Sequence, residues 1–398
     1  MNRKEAFLNY QAQITKTPFL LDVEKAQGSY IYTRDKKKYI DLVAGVSSCT
    51  LGHSNPIIIE AVKKQLDLHT HVMVYGEFIQ ETPLELAKEL ADCLPKKLNC
   101  TYLVNSGTEA IEGAIKLAKR KNGRKKVISC LKSYHGSTQG SLSAIGTEEM
   151  KQKYQPLIPF HENIRFNNFE DLTILKEDVS SIIIEPIQGG TNFKIAHKEW
   201  LTEIRKKCDQ YNIELIFDEI QTGFGRTGKM FGFELSNVIP DIICLAKGMG
   251  GGMPIGAFVS SKENMDLFSE NPALGHITTF GGHPISCAAA LATLKELKNS
   301  TIINYVNEKR ELFEKHLKHP KIKQIHGAGL MIALEFNNEK ACQDIVKTVL
   351  KNGVITFYFL FDRKNMRISP PLTISEHEII QSCKIIKETI DNHYKTNY

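Results

Sequence analysis

A chain of 398 residues with 42% hydrophobic and 24% charged residues holds enough apolar side chains to build a core, and 51 Lys+Arg against 45 Asp+Glu leave a formal charge of only +6. That balance excludes an intrinsically disordered chain and predicts about two domains. The basic residues are scattered, with no basic run interleaved with aromatics, so nucleic acid is not an expected partner. In chain order, Thr82 followed by Pro83 and Glu85 has the spacing of a helix start. Short apolar runs then recur at Tyr102 to Val104, Val127 to Cys130, Ile182 to Ile184, Leu215 to Phe217, Ile242 to Ala246 and Ala257 to Val259, and read as buried parallel strands. Glu109 to Lys121 and Lys198 to Tyr211 are amphipathic and long enough to be crossover helices, which makes the fold class α/β. From Ile302 the pattern changes to two long helices, Ile302 to Leu317 and Glu376 to Tyr394, around alternating residues near Gly329 to Phe336; Ser375 with Glu378 is a capping box. The expected division is a large domain over 51–285 and a smaller α+β domain built from 1–50 and 286–398.

Nine cysteines contain no C-x-x-C pair and read as free thiols of a reducing compartment. His161-Glu162 and His377-Glu378 lack the second histidine of H-E-x-x-H, so no metal site is expected. Met1 to Tyr10 has no apolar signal core, and the longest apolar stretch, Val354 to Phe361, is too short to span a bilayer. A cytoplasmic protein without a membrane segment is the expectation.

The segment Gly223-Phe224-Gly225-Arg226-Thr227-Gly228-Lys229 matches two phosphate-binding patterns on paper. Met230 follows the lysine where a nucleotide-triphosphate loop needs a hydroxyl, and no helix pattern opens at the glycines as a dinucleotide fold requires. The segment reads as a Gly-rich loop bending beside the sheet.

Two strand ends carry more. Leu215 to Phe217 delivers Asp218 and Glu219, and Ile242 to Ala246 delivers Lys247 into Gly248-Met249-Gly250-Gly251-Gly252. Ligands bind at the carboxyl ends of strands in open parallel sheets. A lysine there needs a carboxylate, an exposed head group or a covalent aldehyde partner, and three glycines in a row suggest room for a planar ligand. Ser106-Gly107-Thr108-Glu109-Ala110, at a strand-to-helix junction, is either an ordinary capping box or an anion site made of free amides. Together the three elements are what pyridoxal phosphate asks of a protein: Lys247 to form a Schiff base and shuttle a proton, and Asp218 to keep the pyridine nitrogen protonated.

From about Gly28 to Pro371 the chain also resembles the class III pyridoxal-phosphate aminotransferases of fold type I, in the acetylornithine and ornithine aminotransferase branch. The likeness rests on Ser106 to Ala110, Ser133-Tyr134-His135-Gly136, Glu185-Pro186-Ile187-Gln188-Gly189, Asp218 to Gly223, Ala246-Lys247-Gly248, Thr278-Thr279-Phe280-Gly281-Gly282 and Arg367-Ile368-Ser369-Pro370-Pro371. The resemblance implies a transaminase that exchanges an amino group between an amino acid or amine and a 2-oxo acid by a ping-pong route, with pyridoxal 5'-phosphate as cofactor. It implies amides of Gly107 and Thr108 on the phosphate, joined by Thr279 from the other subunit of a homodimer. Tyr134 and Ile220 would lie on the two faces of the ring, Gln221 on its hydroxyl, and Arg367 on a substrate carboxylate. A racemase, epimerase or aminomutase on the same scaffold, and a non-catalytic cofactor-binding protein, are the alternatives. Two positions depart from the branch: Ser137 stands where an arginine is usual, and Gly190 where a glutamate is. With neither charge present, α-amino acids held by their α-carboxylate are expected to serve better than N-acetylornithine, unless another basic residue such as Arg226 stands in for the missing arginine.

Overall fold

The computed structural model describes residues 2–396. It opens with an antiparallel ribbon of β1 (Val23–Gln27), β2 (Tyr30–Thr33) and β3 (Lys38–Asp41). The central sheet follows with β4 (Cys100–Val104), β5 (Lys126–Cys130), β6 (His161–Ile164), β7 (Val179–Ile184), β8 (Glu214–Asp218), β9 (Ile242–Leu245) and β10 (Gly256–Ser260), in the spatial order β4-β10-β9-β8-β7-β5-β6. From β6 across to β9 every pairing is parallel. The class and the mostly parallel sheet are as expected, but Ala257–Val259 is not another parallel strand: β10 runs against both β9 and β4. Only residues 246–255 separate β9 from β10, and a parallel return needs a crossover of roughly a dozen residues or more, usually a helix. Because β10 reverses and β4 reverses again, β4 ends on the same edge as β5, β7, β8 and β9.

The helix Gly107–Asn122 shows why that edge is well defined. Ser106 caps it by accepting the Glu109 N–H at 3.4 Å, the Glu109 carboxylate accepts the Asn105 N–H at 2.6 Å, and Gly123 ends it in the left-handed region at φ 70°. Its apolar stripe of Ala110, Ile111, Ala114, Ile115, Leu117 and Ala118 is buried against Ile183, Ile216, Ile242 and Phe258 of the sheet. Gly113 is required by this contact, since a Cβ there would fall 2.2 Å from Phe258 Cε1. The helix expected to start at Thr82 is present and runs Glu81–Cys93, with Pro83 in its first turn, but the capping spacing is not used: Thr82 donates to Gln65 Oε1 at 2.7 Å and Glu85 pairs with Lys295. At Ser375 the capping box is present in both directions, at 2.7 and 3.3 Å.

The C-terminal part adds β11 (Gln324–Ala328), β12 (Met331–Glu335), β13 (Val354–Ile355), β14 (Phe357–Tyr358) and β15 (Asn365–Ile368). Four of these form an antiparallel sheet in the order β11-β12-β15-β14, while β13 pairs parallel with β3 and so closes the N-terminal ribbon. One apolar core runs without a break from Ile40 and Leu42 through the central sheet to Ile386 and Ile390.

The start of β8, the strand that carries Asp218, is pinned by Asp241. Its Oδ2 accepts the Leu215 N–H at 2.9 Å and Arg205 Nη1 at 2.7 Å, and its Oδ1 lies 3.1 Å from Lys97 Nζ. Burial alone would raise this carboxyl, but Arg205, Lys97 and the Leu215 amide outweigh it and hold it below the ordinary carboxylate range. A depressed folded-state value stabilises above the unfolded value of about 4 and is lost as pH falls through the folded value. Asp241→Asn is therefore expected to cost about 1–3 kcal/mol at pH 7, read by denaturant unfolding, and the gap to wild type should close below about pH 4.

Candidate active site

Five strand ends open onto one cavity of about 840 Å³. Asp218 closes β8 and is buried; its Oδ2 lies 2.8 Å from His135 Nδ1 and its Oδ1 accepts the Ile220 N–H at 3.1 Å. Burial works against a charged His135, yet the hydrogen bond and charge of Asp218 prevail, and the imidazole is held above its usual value. His135 Nε2 has no partner. Glu185, at the end of β7, accepts the Gly189 N–H at 2.8 Å and the Tyr134 N–H at 3.2 Å, and burial pushes it up to about 7. Neither His135 nor Glu185 was singled out from the sequence as a site residue. Only their membership of the Ser133–Gly136 and Glu185–Gly189 motifs marked them.

Lys247 follows β9 at φ 42°, a left-handed conformation that a lysine adopts only under constraint. Desolvation lowers its ammonium below the ordinary lysine value, against the attraction of Asp218 and with the repulsion of Arg367. The glycines after it serve differently from what was expected. A Cβ on Gly248 would strike Thr50 Oγ1 at 2.5 Å, and one on Gly251 would strike Ile58 and Thr293 at 2.4 Å, so the chain itself fills that space. Of the run, Gly252 alone lines the cavity, together with Lys247.

On the far side of β10, Ser106, Gly107 and Thr108 bring a helix start to the cavity, where the first N–H groups have no acceptor within their own helix. Gly107 is set against Ile220, whose Cδ1 would lie 2.8 Å from any Cβ at 107. Thr108 Oγ1 is 2.6 Å from Ser141 Oγ and 2.8 Å from Thr138 Oγ1. Tyr134, Ile220 and Gln221 all line the cavity; Gln221 Nε2 donates to Ser47 Oγ at 3.2 Å. A strand-end amine, a buried carboxylate and an amide-rich helix start facing one space fit a phosphorylated pyridine aldehyde. Thr279 is not brought into this space: it is exposed, and its hydroxyl lies 3.3 Å from Tyr75.

Arg367, on β15, is buried with its guanidinium 4.6 Å from the ring centre of Phe359 and 5.3 Å from that of Phe193. Its Nη2 donates to the Gly189 carbonyl, and its Nε has no partner. Desolvation lowers it to about 10, with Glu185 opposing. Arg226 does not stand in for a second arginine. It is buried away from the cavity and donates to the carbonyls of Pro370 and Leu330, while the Gly-rich loop around it opens no helix. Ser137 lines the cavity with its hydroxyl 3.1 Å from that of Tyr134. A Cβ at Gly190 would lie 2.6 Å from the Phe361 ring, so a side chain there would require that ring to move. Gly190→Glu is expected to cost about 1–3 kcal/mol through overpacking, and the cost should shrink in a Phe361→Ala background. A double-mutant cycle of denaturant midpoints measures it, and an equal cost in both backgrounds would show that Phe361 is not the obstacle.

The family model for class-III aminotransferases matches residues 11–390. Acetylornithine aminotransferases from Methanopyrus kandleri and Clostridium acetobutylicum are 34% and 36% identical, covering 95% and 94% of this chain and 96% and 97% of their own. Among solved structures, the ornithine aminotransferase of Toxoplasma gondii ME49 superposes with a TM-score of 0.91 at 27% identity, over 100% of this chain and 97% of that one. Another structure of the Toxoplasma enzyme shows partial occupancy of pyridoxal phosphate at its active site. The adenosylmethionine-8-amino-7-oxononanoate aminotransferase of Methanocaldococcus jannaschii gives 0.88 at 30% identity, over 98% and 97%.

Proposed function

We propose, for a chain that belongs to the class-III aminotransferase family, an assignment of the residues that carry its reaction and of the assembly in which they act. The protein is a pyridoxal 5'-phosphate-dependent transaminase of fold type I, moving an amino group between an amino acid or amine and a 2-oxo acid. The family match gives no support to a racemase, epimerase or aminomutase. The observation that carries the assignment is the opening of Lys247, Asp218 and the Gly107 helix start into one cavity.

Bound there, the cofactor supplies an electron sink for the pair left behind when the substrate carbon loses its proton. Lys247 is the amine that holds the cofactor's aldehyde carbon. Desolvation favours its neutral form, which is the form that can attack a carbonyl and, once freed, carry a proton between substrate carbon and cofactor carbon. Asp218 would keep the ring nitrogen protonated and is itself fixed by His135 and the Ile220 amide. The Gly107 and Thr108 amides would hold the phosphate, Tyr134 and Ile220 would lie beside the ring, and Gln221 would meet its hydroxyl. Arg367, with an unpartnered buried Nε, takes the substrate carboxylate.

The active unit is a homodimer of cytoplasmic chains, each with a cofactor-binding body over 51–285 and a smaller body from 1–50 and 286–398. Around Thr279 the surface exposes Met73, Phe78, Ile79, Leu274, Ile277 and Phe280, an apolar patch of the kind an interface covers. Across that interface Thr279 reaches the partner's phosphate. Among the described residues no helix is long and apolar enough to cross a membrane. The curated relatives are named for acetylornithine. For this chain, α-amino acids bound by their α-carboxylate are the better fit, because Ser137 and Gly190 offer no charge to a remote carboxylate or to Arg367.

Borohydride reduction of the holoenzyme and peptide mapping should place the pyridoxyl label on Lys247; a label on another lysine overturns the assignment. Mixing Lys247→Ala chains with Thr279→Asp chains should regenerate one sound site per heterodimer. Activity no greater than the sum of the separate variants, after proven subunit exchange, would show that Thr279 does not complete the partner's site.

A further inference from the structure

We infer that the amino donor is an α-amino acid with an apolar side chain, its carboxylate on Arg367 and its side chain against a wall formed by Val46, Met253, Phe357 and Leu360; this rests on the transaminase reading of the same cavity. All four residues line the cavity, and in a single chain they are 44%, 37%, 39% and 49% exposed. Bulky apolar groups held in water around a concave opening mark a ligand site.

Charge limits what that wall accepts. Among the described residues of one chain, the ionisable side chains lining the cavity that bear on substrate charge are His135, Glu185, Asp218, Lys247 and Arg367. Lys247 and Asp218 serve the cofactor, and both Glu185 oxygens are engaged by the amides of Tyr134 and Gly189. With His135 committed to Asp218, Arg367 is the cation that the described residues of this chain leave for substrate. A second carboxylate set against this wall would face apolar surface with no counter-charge, which is costly.

Two backbone features build the wall. The Phe361 N–H bonds the Gly190 carbonyl at 3.0 Å, and its ring occupies the space a side chain at 190 would need. That closure carries Phe357, Tyr358 and Leu360 to the cavity edge. Opposite in sequence, Ala44, Gly45, Val46 and Ser47 are all left-handed, at φ 51°, 59°, 59° and 66°. A β-branched residue at positive φ is a true outlier, and such strain concentrates at ligand clamps. Here it places Val46 on the cavity.

The test uses the holoenzyme. Half-reactions followed through the cofactor's absorbance should show kcat/KM rising about fourfold per methylene along alanine, 2-aminobutyrate, norvaline and norleucine. Norleucine should exceed glutamate, ornithine and N-acetylornithine at least about tenfold. Calorimetric titration without turnover should find hexanoate binding more tightly than glutarate. In Phe357→Ser/Leu360→Ser the increment should fall to about twofold or less. A flat series, or glutarate bound more tightly, overturns the inference. Fastest conversion by glutamate or N-acetylornithine overturns it and leaves the transaminase reading intact, whereas no conversion by any amino acid, with the borohydride label off Lys247, overturns both.

Discussion

A carboxylate in a protein interior must have its charge answered, and the site is arranged around how Asp218 meets that demand. The answer comes from two directions, a histidine contributed by the chain beyond β5 and the Ile220 amide contributed by the turn after β8 itself. The histidine can arrive only because β7 lies between β5 and β8 and all three run the same way. Glu185, at the end of that middle strand, then finds itself in the same buried space as a second acid. Burial and the nearby Asp218 charge push it up to about 7, with His135 opposing. The two acids therefore differ in kind: one is committed to a histidine, the other to two backbone amides.

The second constraint is conformational. Lys247 and residues 44–47 lie in the left-handed region, where non-glycine residues cost about 1–2 kcal/mol each. The turn at 44–47 is held by Asp41, whose Oδ1 accepts the amides of Val43 and Ala44 at 2.8 and 3.1 Å, and whose Oδ2 lies 2.8 Å from His53 Nε2. That hydrogen bond, with a further one to Cys49, raises the imidazole to about 10, and the Asp41–His53 contact underlies the strained segment. Backbone bonds from Ser369 to Leu42 and from Leu372 to Thr50 tie it to the stretch that follows Arg367. The N-terminal segment and the carboxylate-binding arginine are thus fixed to each other, although they are far apart in sequence.

This division between local and long-range causes explains what the sequence made legible. Asp218, Lys247 and the Gly107 helix start could be found because each sits where an apolar run stops, a signal confined to a few residues. Ser375 was legible for the same reason. The direction of β10 was not, because Ala257–Val259 is as apolar as its parallel neighbours, and only the shortness of 246–255 distinguishes it. The capping role of Thr82 was not legible, because a capping spacing says nothing about Gln65 of the preceding helix, which accepts its hydroxyl. The glycines after Lys247 suggested space for a ligand, yet Thr50, Ile58 and Thr293, from distant parts of the chain, occupy most of it. His135 and Glu185 depend on strand order, which no local pattern encodes.

The two buried arginines show how the same chemistry is put to different ends by what surrounds it. Burial lowers both to about 10. Arg226 spends its guanidinium on the carbonyls of Leu330 and Pro370, joining the Gly-rich loop to the C-terminal sheet, and has no access to the cavity. Arg367 gives one nitrogen to Gly189 and presents its face to Phe193 and Phe359, which stabilise the cation without neutralising it. An acid at position 190 would neutralise it, and its absence looks like a loss when read from the sequence. In the folded chain the vacancy is filled: Phe361 lies where that side chain would begin. A glycine at 190 and an aromatic ring against it are then two aspects of one arrangement, in which Glu185 alone opposes the burial of Arg367 and a substrate carboxylate can complete the pair.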